Sequence, residues 1–162
     1  MNNNMIKVGM ADANVCVPPN TITTLGLGSC VGIVLYDPVK KIAGLAHIML
    51  PDSTKIMNNS NKYKFADTAI DALIIEMEKI GADKRSLIAK IAGGAQMFSF
   101  GNNVDMMRIG DRNVEATRDR LYKLGIPILA EDTGSNYGRT IEFNPKTGLL
   151  HIKSVGMKEK II

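Results

Sequence analysis

Thr24, Cys30 and His47 fall in one short stretch near the start of the chain, and Gly26-Leu27-Gly28-Ser29 leads directly into the cysteine. A thiol beside an imidazole has a chemical meaning. The thiolate is the nucleophile, an unperturbed cysteine titrates near ~8.5, and a neighbouring imidazolium lowers that value by several units. Such a pair suits acyl transfer, in which sulfur attacks a carbonyl and the base moves the proton. Glycines before the nucleophile let the backbone approach a substrate closely. Gly28 and Ser29, with the N–H groups of Gly26 and Cys30, are the backbone candidates for an oxyanion hole. The imidazole also needs an orienting partner, and Thr24 offers both a hydroxyl and a backbone carbonyl.

The elements on either side must bring these groups together. Residues 30–36 (Cys-Val-Gly-Ile-Val-Leu-Tyr) form an apolar run ended by Asp37-Pro38, and a second run from Lys41 to Met49 stops at Pro51. Both are predicted strands, joined as a hairpin. If Tyr36 pairs with Lys41, Cys30 falls directly opposite His47. Opposed residues share a face, with Cβ atoms ~4.5–5.5 Å apart. A one-residue slip would move the histidine to the other face. A cysteine in an apolar strand is ordinarily a small core residue. A histidine among Leu45, Ala46, Ile48 and Met49 is ordinarily a core histidine with its hydrogen bonds met. The residues alone leave the catalytic and the packing readings both open.

Around this hairpin the pattern predicts a first strand through Ile6, Val8 and Met10, a loop over 11–20 and a strand from Thr21 to Leu25. Residues 52–64 are polar and rich in Asn and Lys, which predicts a mobile surface loop. Ala66, Ile70, Leu73, Met77 and Ile80 recur at helical spacing, with Gly81 as the stop. Leu87–Ile91 reads as a strand running into Gly93-Gly94. A second helix is predicted from Asn113 as cap to Gly125. Strands follow at Ile126–Ala130, Arg139–Phe143 and Leu149–Ser154, the last two joined by a hairpin. The expected fold is a single α+β domain over residues 1–162.

Composition narrows the function classes. The 162 residues are 45% apolar, so a core forms without disulfide or metal staples. Lys and Arg number 20 against 16 acidic residues, a net charge of +4, but the basic residues are scattered and Trp is absent. A nucleic-acid surface would show a basic stripe interleaved with aromatics; an acidic protein partner fits better. No apolar run approaches ~18 residues, and the first residues lack the pattern of a signal peptide. Two cysteines make no disulfide framework. A cytoplasmic protein with reduced thiols is expected. Cys16, Cys30, His47 and His151 lack metal-ligand spacing, so no metal or cofactor is expected. Gly26-Leu27-Gly28 lacks the third glycine and the following helix of a dinucleotide fingerprint. Met97, Met106 and Met107 read as core filling or as an adaptable partner surface.

The chain resembles the chemoreceptor glutamine deamidase family, CheD. The resemblance rests on residues 8–12, on 25–32 (LGLGSCVG), on 44–51 (GLAHIMLP), on Tyr63–Ile70, on 90–98, on 109–113 (IGDRN) and on 138–141. It covers nearly the whole length. One departure is Ser135, where the family pattern leads us to expect a second glycine after Gly134. The resemblance implies a cysteine–histidine hydrolase with Cys30 as nucleophile, His47 as base and Thr24 as third member. It implies a mixed-sheet sandwich with flanking helices, related to the deamidating toxin of the cytotoxic necrotizing factor type. The implied reaction converts glutamines of methyl-accepting chemotaxis receptors to glutamates, without cofactor. The implied partners are the helical cytoplasmic region of those receptors and the CheC-type phosphatase. Two rival functions share much of the sequence: a peptidase or small-amide amidase, and a non-catalytic adaptor.

Overall fold

The computed structural model describes residues 4–97 and 108–162. Ten strands run in chain order: β1 (Met5–Val8), β2 (Asp12–Cys16), β3 (Thr21–Leu27), β4 (Val31–Asp37), β5 (Ile42–Ile48), β6 (Ile88–Gly93), β7 (Ile128–Thr133), β8 (Arg139–Asn144), β9 (Leu149–Lys153) and β10 (Lys160–Ile161). Two α-helices, α1 (Ala66–Lys79) and α2 (Ile109–Lys123), complete the described architecture. One sheet has the order β1-β3-β8-β9-β10 and the other β2-β5-β4-β6-β7. Each is mixed, because β1 runs parallel to β3 and β6 parallel to β7.

Every residue of β4 and β5 is buried, which explains why these segments read as continuous apolar runs rather than alternating ones. Val31, Ile33, Leu35, Ala46 and Ile48 face the helices and pack on Ala69, Ile70, Leu73 and Met77 of α1. Val34, Tyr36, Ala43 and Leu45 point the other way, onto Ile22, Leu27, Ile141, Phe143, Leu150 and Ile152 of the first sheet. The layers are therefore sheet, sheet, helices, with the central strands β4 and β5 wetted on neither face. Truncating a buried leucine at either boundary, such as Leu73→Ala, costs about 2–5 kcal/mol. The α+β sandwich expected from the sequence is the fold observed.

Several local expectations are corrected. The segment over 11–20 contains β2, which pairs antiparallel with β5 at that sheet's edge; its short polar residues hid a strand only half covered. Residues 52–64 contain two 3-10 turns, Ser53–Lys55 and Lys62–Lys64, capped by the side chains of Asp52 and Asn61. Asp67 of α1 further accepts from the N–H and hydroxyl of Ser53 at 2.9 and 2.7 Å. The second helix begins at Ile109, one turn before Asn113, so Asn113 lies inside it.

The largest correction is the register of β4 against β5. Asp37 pairs with Ile42, and Gly32, not Cys30, stands opposite His47. The hairpin loop keeps four residues but is moved one position along the chain. Asp37, fully buried, accepts from the N–H groups of Val39, Lys40 and Asp83 at 3.0, 3.1 and 2.9 Å. That anchoring holds Asp37 within the sheet, and Lys41 closes the turn at φ 57°.

Candidate active site

Cys30 is the last residue before β4, and it packs in the layer between the sheets with Val34 and Tyr36. His47, next to last on β5, faces the same layer, since Ala43 and Leu45 of its parity do. Cys30 and His47 thus share a face, set diagonally across the ladder instead of directly opposed. Diagonal neighbours lie about 7–8 Å apart as a rule, within reach of long side chains. A two-residue change of register preserves the face, which is why the pairing survives the shifted turn.

Thr24 reaches this histidine from the other sheet. Its hydroxyl lies 2.7 Å from His47 Nδ1 and donates to the carbonyl of Val8, also at 2.7 Å. A hydroxyl has one proton to give. With that proton on Val8, the oxygen can only accept from the imidazole, so Nδ1 carries the hydrogen. The neutral ring then presents an unprotonated Nε2. Nε2 is buried and has no hydrogen-bond partner among the described residues, Cys30 included. His47 itself is 0% exposed, and burial lowers its pKa below the ordinary imidazole value. The arrangement holds a neutral base with its lone pair free.

Cys30 is 9% exposed. Burial pushes its thiol pKa up, and its own backbone N–H, lying against the sulfur, pulls it down. The resting pair is therefore a neutral thiol and a neutral imidazole, in place of the ion pair that close opposition would favour. Of the oxyanion candidates, Gly28 already donates its N–H to Gly26 O at 3.1 Å. The Ser29 and Cys30 peptide groups form the end of the turn beside the sulfur. Met97 covers this turn: a Cβ on Gly28 would meet its Cγ at 3.2 Å. Met106 and Met107 lie outside the described residues.

The backbone around Cys30 is pinned from behind. Gly94 donates to Cys30 O at 2.8 Å and Ala95 to Gly28 O at 2.9 Å. Gly93 permits this approach, since a Cβ there would lie 2.2 Å from Cys30 O. Asn113 Nδ2 donates to Ser29 O at 2.9 Å and to Met49 O at 3.0 Å. The sequence reading treated Asn113 as a cap and missed it. Its signal was the glycine three residues earlier, on the same face of a helix. Ser135, at the expected glycine position, does adopt the left-handed region at φ 61° and accepts from Gln96 N–H at 2.9 Å.

The remaining candidates stand apart. Cys16 is a buried free thiol on β2, with a pKa raised by burial to about 11. His151 lies on β9 and pairs with Glu159 at 3.0 Å. Arg139 on β8 is buried, ion-paired to Asp132 at 3.0 Å, and donates to Gly134 O at 3.0 Å. It stacks on Tyr137 with its guanidinium 4.5 Å from the ring centre.

Comparison with known proteins gives this geometry its relatives. The chain is similar to a Neisseria meningitidis protein, NMB0706, of the DUF152 family, with a TM-score of 0.52 at 10% identity over 82% of this chain and 64% of that one. That likeness concerns the fold alone. In sequence it is 68% identical over 158 residues to the probable chemoreceptor glutamine deamidase CheD of Lachnoclostridium phytofermentans, covering 98% of both chains. It is 62% identical over 161 residues to the chemoreceptor glutamine deamidase CheD of Halalkalibacterium halodurans, covering 99% of both. The family model described as CheD chemotactic sensory transduction matches residues 49–154. The chain belongs to the CheD family.

Proposed function

We propose that this protein is a chemotaxis hydrolase that deamidates glutamine side chains of chemoreceptors, with Cys30 as nucleophile, His47 as base and Thr24 as its orienter. The observation that carries the chemistry is the Thr24–His47 contact, which fixes the tautomer and leaves Nε2 unpartnered on the face that Cys30 shares. The names of the full-length relatives support the substrate class.

The reaction follows from a neutral pair. Rotation of the Cys30 side chain brings sulfur within reach of Nε2, as apo contacts commonly tighten on substrate binding. His47 takes the thiol proton as sulfur attacks the carboxamide carbon. The developing oxyanion is met by the N–H of Cys30, with that of Ser29 beside it. The imidazolium returns its proton to the departing nitrogen, the C–N bond breaks, and ammonia leaves a thioester. Water then gives a proton to His47 and adds to the thioester; the C–S bond breaks, and glutamate and the thiol are restored.

A receptor glutamine on a helix must reach a recessed sulfur. Leu25 is 62% exposed beside Thr24, Met10 is 61% exposed next to the residue that donates to His47 O, and Met97 is 42% exposed over Gly28. These exposed apolar groups neighbour the Gly28 turn and the Thr24–His47 pair and suit an exposed amphipathic helix. The same surface is the one we assign to a CheC-type phosphatase, in the cytoplasm where the receptor's signalling helices lie. No described helix is long and apolar enough to cross a membrane.

The test is mass spectrometry of cognate receptor cytoplasmic fragments after incubation with the protein. Glutamine peptides should gain the small mass of amide-to-acid conversion, with ammonia released and no chain cleavage. Saturating CheC should slow this conversion and shield Cys30 from alkylation. Unchanged receptors would overturn the enzymatic reading; conversion undisturbed by bound CheC would separate the two surfaces.

A further inference from the structure

Asn113 is fully buried within α2, yet its amide bridges two backbone carbonyls of the site. Ser29 O belongs to the peptide group that carries the Cys30 N–H. Met49 O lies two residues beyond His47, just past Val31–Ile48, where the β4–β5 pairing ends. Both contacts are to acceptors, so the orientation of the amide is settled by the network: the NH₂ group must face them.

We infer that Asn113 is a positioning residue that aims the Cys30 N–H at the sulfur and at the nascent oxyanion. The inference rests on Cys30 being the nucleophile. In a planar trans peptide the C=O and N–H point in opposite directions. Pinning Ser29 O toward α2 therefore turns the Cys30 N–H away from the helix, to the side of the thiol. The next peptide is pinned as well, because Gly94 donates to Cys30 O. Both peptide planes flanking the Cys30 Cα are thus held, one by the α2 amide and the other from the end of β6, which fixes the backbone from which sulfur and donor project. By the second hydrogen bond, the amide ties the cysteine end of β4 to the histidine end of β5 beyond their last ladder pair.

The helix is placed for this contact. Gly110 sits one turn earlier, where a Cβ would lie 2.4 Å from Ala95 O and 2.6 Å from Gly94 O. That close approach brings the first turns of α2 down onto the strand end and puts Asn113 within reach of Ser29. Asn113 Oδ1 is buried without a partner among the described residues, so the residue is held in place for its two donor contacts at the Cys30 turn and the end of β5. An unmet buried acceptor is a cost that packing does not require.

The test uses the full chain with Asn113→Ala, the isosteric Asn113→Asp, and Thr117→Val as a control. Thr117 is buried on the same helix, and its hydroxyl donates to Asn113 O at 2.8 Å rather than to the Cys30 turn. Two readouts are compared: kcat and KM on a receptor cytoplasmic fragment, and the pH profile of Cys30 alkylation by iodoacetamide, mass-mapped. Asn113→Ala should lower kcat by roughly 10–100-fold, below the full loss of an oxyanion donor, with KM little changed. Its Cys30 alkylation profile should shift to higher pH while that of Cys16 stays in place. In Asn113→Asp the introduced carboxyl donates only when protonated, so its kcat relative to wild type should rise as pH falls. Thr117→Val should lose thermal stability yet keep the wild-type kcat and alkylation profile. If Asn113→Ala does not fold, the isostere decides by the same measures. A folded variant at Asn113 with wild-type kcat and an unshifted Cys30 profile overturns the inference and leaves the deamidase reading standing. A wild-type protein inert on receptors sinks that reading, while the alkylation profiles still decide the role of Asn113.

Discussion

Cys16 at the end of β2 and Cys30 just before β4 are both buried free thiols in the layer between the sheets, and burial raises the pKa of both. They differ in what surrounds the sulfur. The Cys16 thiol donates to the carbonyl of Val17 at 3.9 Å, an acceptor that disfavours thiolate. Cys30 has its own N–H as donor, a glycine-rich turn ahead of it, and the free Nε2 of His47 on its face. Burial alone does not make or unmake a nucleophile; the hydrogen-bond donors and bases at its edge do.

The comparison breaks most sharply on activity. Cys30→Ala and His47→Ala should each lower deamidation on the order of 10⁴-fold or more, as removal of a nucleophile or its base does elsewhere, with the fold intact by circular dichroism. Cys16→Ala should release ammonia at a rate close to wild type. Full turnover by purified Cys30→Ala would end the assignment.

A smaller loss is expected at Thr24, whose hydroxyl holds the His47 imidazole. Thr24→Val removes the acceptor for His47 Nδ1–H and the donor to Val8 O, and should cost on the order of 100-fold in kcat, short of the ~10⁴-fold seen when a triad orienter imposes the wrong tautomer. Buried partners left unmet should also lower stability by about 1–3 kcal/mol. Thr24→Ser retains the hydroxyl and should recover most of both, measured by steady-state kinetics and denaturant melts. Equal damage from the two substitutions would remove Thr24 from the mechanism.

Between the thiols themselves, iodoacetamide near neutral pH should label Cys30 at least ~10-fold faster than Cys16, given donors to the Cys30 thiolate and a Cys16 pKa of about 11. Equal or inverted rates in mass-mapped labelling would erase the distinction drawn here.

The smallest effect concerns pH. His47 binds a proton less readily when folded than when unfolded, because burial disfavours the charged ring. As pH falls, the unfolded chain is protonated first, so the stabilisation is complete above the ordinary imidazole value of ~6.5 and is lost as pH falls through the lower folded value. Unfolding midpoints of wild type should therefore decline with acid through this window more steeply than those of His47→Gln. Parallel curves would mean that His47 does not stay neutral in the fold.

The pattern of the sequence carried much of this. Continuous apolar runs marked β4 and β5 as buried on both faces, and helical spacing from Ala66 to Met77 marked α1, since burial imposes these patterns locally. Thr24, Cys30 and His47 were legible because their chemistry is visible in residue type, and the motif resemblance named them together. β2 was not legible, because an edge strand covered on one side carries little apolar signal.

What the tertiary structure decided is the relation between elements. Asp37, which pairs with Ile42 in the observed register, accepts N–H groups from Val39 and Lys40 inside the turn and from Asp83 far along the chain, so the turn sequence held only part of what fixes it. Asn113 looked like a helix cap by local propensity, and only the packing of α2 on Gly94 and Ala95 turned its amide toward Ser29 and Met49. Likewise the state of the histidine follows from a three-member chain, Val8 O, Thr24 and His47, that spans two sheets. Sequence determined which groups could do chemistry, because that is a property of side chains. Their tautomer, protonation and orientation are properties of hydrogen bonds between distant segments, and those exist only once the sheets and α2 are packed.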